Sequence, residues 1–398
     1  MNLNDENLNA PCIVCHEVSS TRILLGESLA DASDFRDPSS LGTHFRFELA
    51  TCQNCGHNSI QTNNPCLLPT RKYKFIKYGE PIEHYPLVKK LLESLNINFS
   101  NTSIHAFSYK DFQLANFLGD QLNIADVNLV DWLGCSDDWL PVASDKSVFT
   151  EPKPLKEFFA EINNSSMVHR IVIVTRFFDH VASQDLLRKM IRIASPTVHL
   201  VFDLNDYERL STQNTLEFIW NERRNFFHRI HLEHIISREN LGFSMFTFES
   251  QEVSPTLSGV ITNRIPAAVV NSERAPSLSA FQDFGNELSV LRQRWKKELT
   301  FGHKLAIIGA SHKGISLAQF VLDSKARFSL HDDKEALKGR TPPVIPPLGY
   351  HSISGFDFSQ YSHAAMTTTR ANAQKIMPKL QDSGFTGKFL NFDCRLFN

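Results

Sequence analysis

The sequence lacks an excess of charge of either sign. Its 398 residues carry 41 lysines and arginines against 43 acidic residues, which gives a formal net charge of −2. Because a polyanion is attracted by net or clustered positive charge, this balance argues against a nucleic-acid partner. Hydrophobic residues make up 42% and charged residues 21% of the chain, which is typical of a globular protein rather than a disordered one.

Long apolar runs and a leader sequence are also missing. The chain begins with the polar residues Met1-Asn-Leu-Asn-Asp-Glu-Asn, without the basic and apolar regions of a signal peptide. No apolar run approaches the roughly 18 residues that a membrane-spanning helix needs. We therefore expect a cytoplasmic protein without a membrane partner. Both a monomer and a homodimer are compatible with the sequence.

Cysteine is scarce, and most of it is paired in sequence. Four of the seven cysteines form two Cys-x-x-Cys turns, Cys12 with Cys15 and Cys52 with Cys55. In a reducing compartment such residues are thiols or metal ligands rather than disulfides. Two turns of this kind can place four thiolates tetrahedrally around one Zn²⁺. A redox-active Cys-x-x-Cys is the alternative, but the second pair favours a closed structural zinc site.

Three units are predicted along the chain, since its length exceeds that of one ordinary core. Residues 1–66 show only short segments and polar turns, so a metal would have to hold this module together. In residues 67–265 and 266–398, short apolar runs alternate with helical stretches, which is typical of a parallel sheet covered by helices. Two strands, at 243–248 and 257–262, have no helix between them and predict an antiparallel hairpin at the edge of the larger sheet.

Apolar spacing locates the elements of the two α/β units. A repeat of three to four residues predicts helices, and short β-branched runs predict strands. The predicted helices cover residues 84–97, 112–122, 155–162, 185–194 and 284–299. The predicted strands, besides the hairpin, cover residues 127–133, 147–150, 171–175, 198–203, 304–309, 327–331, 364–368 and 388–392.

A candidate cofactor turn follows the predicted strand that ends at Leu133. A turn containing Gly134, Ser136 and Asp137 would let a cofactor approach backbone N–H groups before the next helix. The next predicted strand ends just before Glu151, whose carboxylate would accept hydrogen bonds from two ribose hydroxyls. These two strand ends predict a nucleoside site. The alternative is that Glu151 is a surface residue before a helix-starting proline.

The smaller unit carries a glycine-bounded loop, Gly309–Gly314, between a strand and a helix. Its glycines are spaced as in a P-loop, but Ile315 stands where that motif needs lysine, which excludes an NTPase. The following strand ends in Asp332-Asp333, where a dinucleotide-binding fold carries its ribose acid. The alternatives are a Rossmann-like scaffold without a ligand and a nucleotide site formed by Ser311, His312, Lys313 and Asp332.

Taken in this order, the segments resemble the S-adenosylmethionine-dependent C-methyltransferases that alkylate nucleotide-linked 4-keto deoxysugars. The resemblance covers nearly the whole chain. That family has a four-cysteine zinc module, a Gly-x-Asn-Asp-Gly turn, here similar to Gly134 to Asp138, and a Gly-Ala-Ser loop, here Gly309 to Ser311. The resemblance implies a class I methyltransferase core, a second Rossmann-like domain, S-adenosylmethionine as cofactor and structural Zn²⁺. The substrate would be a nucleotide-linked sugar on a pathway to a branched deoxysugar.

The segment that resembles the family's Ile-Tyr-His-Glu-His catalytic stretch is altered. The acid Glu222 is kept, whereas Trp220, Asn221 and Arg223 replace the tyrosine and the two histidines. Proton abstraction beside a ketone needs a base of intermediate pKa, and a guanidinium stays protonated. Glu222 would be that base if burial raised its pKa, and Arg223 would stabilise an enolate or bind a phosphate or carboxylate. An exposed Arg–Glu pair is the alternative.

Further candidate residues come from the same resemblance. His180 lies in Arg176–Val181, a stretch similar to the family's Asn-x-x-Glu-His-Val. The family's Tyr-x-Tyr reads Tyr73-Lys74-Phe75 here, with Tyr78 shortly after it. The resemblance implies that His180 and Tyr78 act in catalysis and that Tyr73 binds substrate. The family's Gly-Gly-Ser near the end of the core reads Thr256-Leu257-Ser258.

Two other functions are compatible with the same segments. One is a divergent enzyme that uses another acceptor or catalyses another reaction on a nucleotide-linked sugar. The other is a non-catalytic binding paralogue whose cofactor turn has decayed. The replacement of the last glycine of the turn by Asp138 favours the binding paralogue.

Overall fold

The computed structural model describes the greater part of the chain. Within this part the strands form three sheets, and no helix is long and apolar enough to span a bilayer. The described residues are 10–18, 20–29, 44–62, 82–107, 109–131, 153–163, 168–181, 183–212, 223–249, 255–266, 284–310, 312–323, 325–334, 337, 339–344 and 348–397.

The first sheet is antiparallel and was not predicted. Apolar residues alternate along its second strand, where Phe45, Phe47 and Leu49 share one face. A short strand from far along the chain extends this sheet, so backbone hydrogen bonds join the N-terminal four-cysteine module to the larger unit. Its strands, in sheet order, are β1 (Ser20–Leu29), β2 (Phe45–Cys52), β3 (Asn58–Thr62) and β9 (Asn225–Phe226).

The second sheet has seven strands in the order β10-β11-β8-β7-β4-β5-β6. Strands β4 to β8 run parallel, and β10 and β11 form the predicted antiparallel hairpin at one edge. This order with its final hairpin is the one expected of a class I methyltransferase sheet. The strands are β4 (Thr102–Ala106), β5 (Asp126–Asp131), β6 (Lys153–Pro154), β7 (His169–Thr175), β8 (Val198–Asn205), β10 (Gly242–Phe248) and β11 (Thr256–Thr262).

Helices cover both faces of this sheet and create two apolar cores. The helices at 85–93 and 109–122, which the apolar spacing predicted, pack on one face. The helices at 155–163, 184–191 and 229–238 pack on the other face. Ile13 and Val14 of the zinc module are buried in the second of these cores. The helices are α1 (Tyr85–Glu93), α2 (Tyr109–Leu122), α3 (Leu155–Asn163), α4 (Phe177–His180), α5 (Gln184–Ile191), α6 (Tyr207–Thr212) and α7 (Arg229–Arg238).

The central strand β4 changes how the larger unit is interpreted. Every residue of β4 is buried, although Ile104 and Ala106 are its only apolar side chains, and the strand was not predicted. The chain runs from β4 through β5 to β6 on one side and then returns to β7 on the other. The strand before Gly134, predicted to open the core, is therefore its second strand. The reversal of strand order lies between β4 and β7.

The third sheet is parallel, in the order β14-β13-β12-β15-β16. Four of its strands and its first helix coincide with predicted elements. Phe47 of the first sheet, Tyr207 of the larger unit and Ile307 of this sheet belong to one apolar core. The elements are β12 (Leu305–Ile308), β13 (Phe328–His331), β14 (Tyr350–His351), β15 (His363–Met366), β16 (Lys388–Leu390), α8 (Phe284–Glu298), α9 (His312–Ser316), a π-helix (Leu317–Val321) and α10 (Arg370–Asp382).

Candidate metal centre and active site

The four predicted cysteine ligands lie together. Their sulfur atoms are all within 4.8 Å of one another, and the closest pairs are Cys12 with Cys55 at 3.6 Å and Cys15 with Cys52 at 3.4 Å. Sulfurs that share one tetrahedral Zn²⁺ are about 3.8 Å apart, given Zn–S bonds of about 2.3 Å. This donor set fits the predicted structural zinc.

Matching turns bring the thiols together. In the first turn the N–H of His16 donates to the carbonyl of Cys12, and in the second the N–H of Gly56 donates to that of Cys52. His16 and Gly56 both have a positive φ, of 72° and 71°, which glycine adopts freely and other residues seldom do. Hydrogen bonding with Cys12 lowers the pKa of Cys52, because a hydrogen bond to a thiolate stabilises it. Hydrogen bonding with Cys12 raises the pKa of Cys55, because a second thiolate beside the first would be repelled unless a cation lay between them.

Residues of the larger unit hold this centre in place. His231 of α7 donates from Nε2 to the carbonyl of Cys55 at 2.9 Å, and the side chain of Gln184 at the start of α5 donates to the carbonyl of Ile13 at 3.1 Å. His57 is buried beside the thiols, with Nδ1 3.8 Å from Cys12 Sγ, and burial lowers its pKa well below the ordinary value. The centre is thus fixed to the larger unit through α5 and α7.

Open α/β sheets bind ligands at the carboxyl ends of their strands, at the point where the strand order reverses. In this sheet the reversal lies between β4 and β7. A carboxylate of the chain itself lies here. Asp111 of α2 is fully buried, and its Oδ2 accepts the N–H of Phe107 at 3.0 Å, while Oδ1 accepts the N–H of Thr175. The side chain of Asp111 therefore joins the carboxyl ends of β4 and β7. In a glycine-rich cofactor turn, backbone N–H groups at this position face the cofactor instead.

The predicted cofactor residues Gly134, Ser136, Asp137 and Glu151 lie outside the described residues. Strand β6 begins two residues after Glu151. With β5 as the second strand of the core, its last residue, Asp131, holds the position of a ribose acid. Asp111 and Asp131 were missed because β4 was not recognised. The sequence feature that could have identified Asp111 is its position as an acidic residue at the start of an apolar helix.

Buried charged groups lie at the carboxyl ends of β7 and β8. Arg223 donates from Nη1 to the hydroxyl of Tyr207 at 2.7 Å, and Nη1 of Arg176 is 3.9 Å from Asp179 Oδ2. Arg223 is buried, so the alternative of an exposed residue at this position is wrong. Burial raises the pKa of Tyr207 above its ordinary value, and its phenol therefore stays protonated. Arg176 has the unusual φ of 62°, which is often found at functional sites.

The other predicted catalytic residues divide into two groups. His180 is the last residue of α4, half-buried and next to Asp179. Glu222, Tyr73 and Tyr78 lie outside the described residues, so the structure does not show whether they meet Arg223. On the same edge of the sheet, Nε2 of His84 lies 2.9 Å from Asp203 Oδ2, a contact that the sequence analysis did not identify.

The glycine-bounded loop of the third sheet is held from both sides. Asp332 accepts the N–H groups of Ala310 and Lys334, each at 2.9 Å, and Thr367 Oγ1 donates to the carbonyl of Gly309 at 2.9 Å. The loop and Asp332 therefore meet at the carboxyl ends of β12 and β13. His312 and Lys313 begin α9 beside them, and Ser311 lies outside the described residues.

Gly314→Ala should destabilise this unit by about 1 to 3 kcal/mol, the usual cost of a forced steric contact in a packed region. A Cβ at this position would lie 2.2 Å from the carbonyl oxygen of Gly309, so one of the two backbone segments would have to shift. Urea denaturation measures the change. Ser289→Ala, on the exposed face of α8, is the control and should change stability by less than about 0.5 kcal/mol. Equal stability of the two variants would contradict the close approach.

Comparisons with known proteins give a likeness at the level of fold. No protein-family model matches the sequence, and no curated protein matches it. Several of the solved structures that resemble this chain are methyltransferases. The methyltransferase domain of bacterial CtHen1 is 13% identical, with 45% of this chain and 97% of that chain covered and a TM-score of 0.33. Human N-acetylserotonin methyltransferase in complex with SAM is 12% identical, with coverages of 45% and 52% and a TM-score of 0.32.

A third similar structure is a SAM-dependent methyltransferase from Archaeoglobus fulgidus. It is 13% identical, covers 44% of this chain and 93% of that chain, and has a TM-score of 0.30. These similarities concern less than half of the chain and assign no residue.

Proposed function

We propose that the chain is an S-adenosylmethionine-dependent C-methyltransferase that acts on a nucleotide-linked 4-keto deoxysugar. The observation that carries the proposal is the seven-stranded sheet, whose strand order and terminal hairpin suit this reaction class. On this proposal residues 1–66 hold a structural zinc, residues 67–265 hold the cofactor and the reacting sugar, and residues 266–398 hold the nucleotide. The bound cofactor would supply the electrophilic methyl group.

The described residues fit the ribose half of S-adenosylmethionine better than its amino-acid half. Asp131 is the last residue of β5, and this is the chain position that would carry the ribose acid of such a fold. At the end of β4, by contrast, Asp111 already accepts the N–H groups of Phe107 and Thr175. The amino-acid half of the cofactor would therefore bind to donors other than these two backbone groups.

The substrate would lie between the second and third sheets. Arg223 and Tyr207 form a buried pair of hydrogen-bond donors at the carboxyl ends of β7 and β8, suited to the oxygen of a keto sugar in its enolate form. In the third sheet, His312, Lys313 and Asp332 adjoin the glycine loop, where a nucleotide would bind. The apolar core that Tyr207 and Leu210 of α6 share with Ile307 of β12 packs the third unit against the larger one.

Titration calorimetry with S-adenosylhomocysteine tests the cofactor part of the proposal. We expect saturable binding, weakened by about 1 to 3 kcal/mol when the carboxylate that holds the ribose is removed, the usual effect of losing a buried hydrogen-bonding partner. Asp131→Ala and Glu151→Ala are compared, and the variant with weakened binding identifies the ribose acid. Asp120→Ala, an exposed acid of α2, is the control. If the wild type shows no binding at millimolar ligand, the proposal fails.

A second candidate function is a non-catalytic binding protein built on the same fold. The observation that favours it is Asp111, because its carboxylate occupies the crevice where this fold normally receives a cofactor. Such a protein would still bind a nucleotide-linked sugar through the third sheet. Binding of the nucleotide-linked sugar without any binding of S-adenosylhomocysteine would establish this function in place of methyl transfer.

A further inference from the structure

A buried histidine and aspartate meet at the edge of the seven-stranded sheet. His84 stands directly before α1, and its Nε2 lies 2.9 Å from Oδ2 of Asp203 in β8, with side chains that are 0% and 2% exposed. Because a carboxylate only accepts, Nε2 carries the hydrogen when the ring is neutral, and Nδ1 keeps a lone pair. That lone pair does not cap α1 and meets no hydrogen-bond donor among the described residues.

Two more buried polar atoms beside this pair have no hydrogen-bond partner within the described part of the chain. They are Oδ1 of Asp203 and Oγ of Ser258. Ser258 in β11 stands directly opposite Asp203 in β8, and residues opposite each other in an antiparallel pair project from the same face of the sheet. Buried polar atoms without partners are costly and rare. Three such atoms on neighbouring residues of the described chain indicate a position suited to a polar ligand group.

This position adjoins the candidate active site. The N–H of Arg176, which follows β7, donates to the carbonyl of Asp203 at 2.6 Å. Tyr207 begins α6 just after the end of β8 and accepts a hydrogen bond from Arg223. The histidine–aspartate pair and the arginine–tyrosine pair therefore lie on the same carboxyl edge of the sheet. The second pair offers hydrogen-bond donors, and the first offers an acceptor for a proton.

We propose that His84 is the general base of the C-methylation and that Asp203 is its positioning residue, an assignment that rests on the proposed function. Nδ1 of His84 forms a bond to the hydrogen on the carbon beside the ketone. The electrons of the broken C–H bond form the carbon–carbon double bond of the enolate, and the carbonyl π electrons move to oxygen. The carboxylate of Asp203 keeps the hydrogen on Nε2 and stabilises the imidazolium that forms. The enolate carbon is then the nucleophile for the methyl group.

Exchange of the hydrogen beside the ketone in deuterated water tests this assignment, since it reports proton abstraction without methyl transfer. We expect His84→Gln to exchange about 10²- to 10⁴-fold more slowly than the wild type, the usual loss of a general base. Glutamine keeps an N–H donor for Asp203, so the fold should persist. The control is His199→Gln, a buried histidine of the same strand β8 that contacts Thr262 at the other end of the sheet. It should exchange at the wild-type rate.

Asp203→Asn separates positioning from packing. The amide has the size of the carboxylate, so the melting temperature should stay near that of the wild type, while kcat for exchange should fall and KM should not. Addition of imidazole to His84→Gly should restore part of the exchange, which a structural histidine would not allow. If the wild type exchanges the hydrogen beside the ketone and His84→Gln exchanges it equally fast, the assignment of His84 is wrong, whereas the proposed function stands. If the folded wild type exchanges this hydrogen in none of the nucleotide-linked keto sugars, both the assignment of His84 and the proposed function are wrong.

Discussion

Cys52→Ala protein should be purified with less than half an equivalent of zinc and should unfold at a clearly lower temperature than the wild type. Structural Zn²⁺ contributes to folding directly, by about 10 kcal/mol or more in isolated zinc-binding peptides. A loss of only about 3 kcal/mol would lower the melting temperature by roughly 6 to 12 °C in a unit of 150 to 250 residues. Metal analysis and a thermal scan measure the two effects.

The destabilisation should not stop at the zinc module. Ile13 and Val14, between the first two ligands, are buried in the core of the larger unit, and His231 donates to the carbonyl of Cys55. Cys394→Ala is the matched control, because this thiol lies in the third unit away from the four ligands. It should keep one equivalent of zinc. Unchanged zinc content in Cys52→Ala would show that these cysteines are not the metal site.

Asp111→Ala should lower the free energy of unfolding of the larger unit by about 2 to 4 kcal/mol. The substitution removes a buried carboxylate and leaves the N–H groups of Phe107 and Thr175 without their acceptor, and each uncovered donor costs about 1 to 3 kcal/mol. Hydrogen bonds to an ionised acceptor are stronger than neutral ones. Urea denaturation followed by circular dichroism gives the value.

The control for this prediction comes from the same helix. Asp120 lies near the end of α2 and is exposed, so Asp120→Ala should change the free energy of unfolding by less than about 0.5 kcal/mol. If Asp111→Ala were no more destabilising than Asp120→Ala, then the carboxylate would not be joining β4 to β7. The crevice between the carboxyl ends of β4 and β7 would then be open to a ligand, and the case for a non-catalytic binding protein would weaken.

The sequence predicted the elements that have a regular apolar pattern. Strand β7, with Ile171 to Val174, and the hairpin of β10 and β11 were found because β-branched and aromatic residues fill them. Strand β4 was missed because Ser103 and His105 interrupt its apolar residues, and only the surrounding strands and helices bury it. That one omission moved the predicted cofactor turn from the first strand of the core to the second.

The candidate site could be predicted only where its residues are close in sequence. Each Cys-x-x-Cys turn carries its own geometry, so the four ligands were identified from their spacing. His84 and Asp203, by contrast, are 119 residues apart, and no local pattern joins them. The burial of Arg223 beside Tyr207 also depends on tertiary packing. These contacts follow from the sheet order, which places the carboxyl ends of distant strands at one edge.

Transfer of a labelled methyl group tests the central claim most directly. Zinc-loaded protein is incubated with S-adenosylmethionine carrying a deuterated methyl group and with a panel of nucleotide-linked 4-keto deoxysugars, and the sugars are analysed by mass spectrometry. We predict one sugar that gains the labelled methyl group on the carbon beside the ketone, and no such product with His84→Gln. If folded, zinc-loaded wild-type protein labels none of these sugars, the chain is not a C-methyltransferase of nucleotide-linked keto sugars.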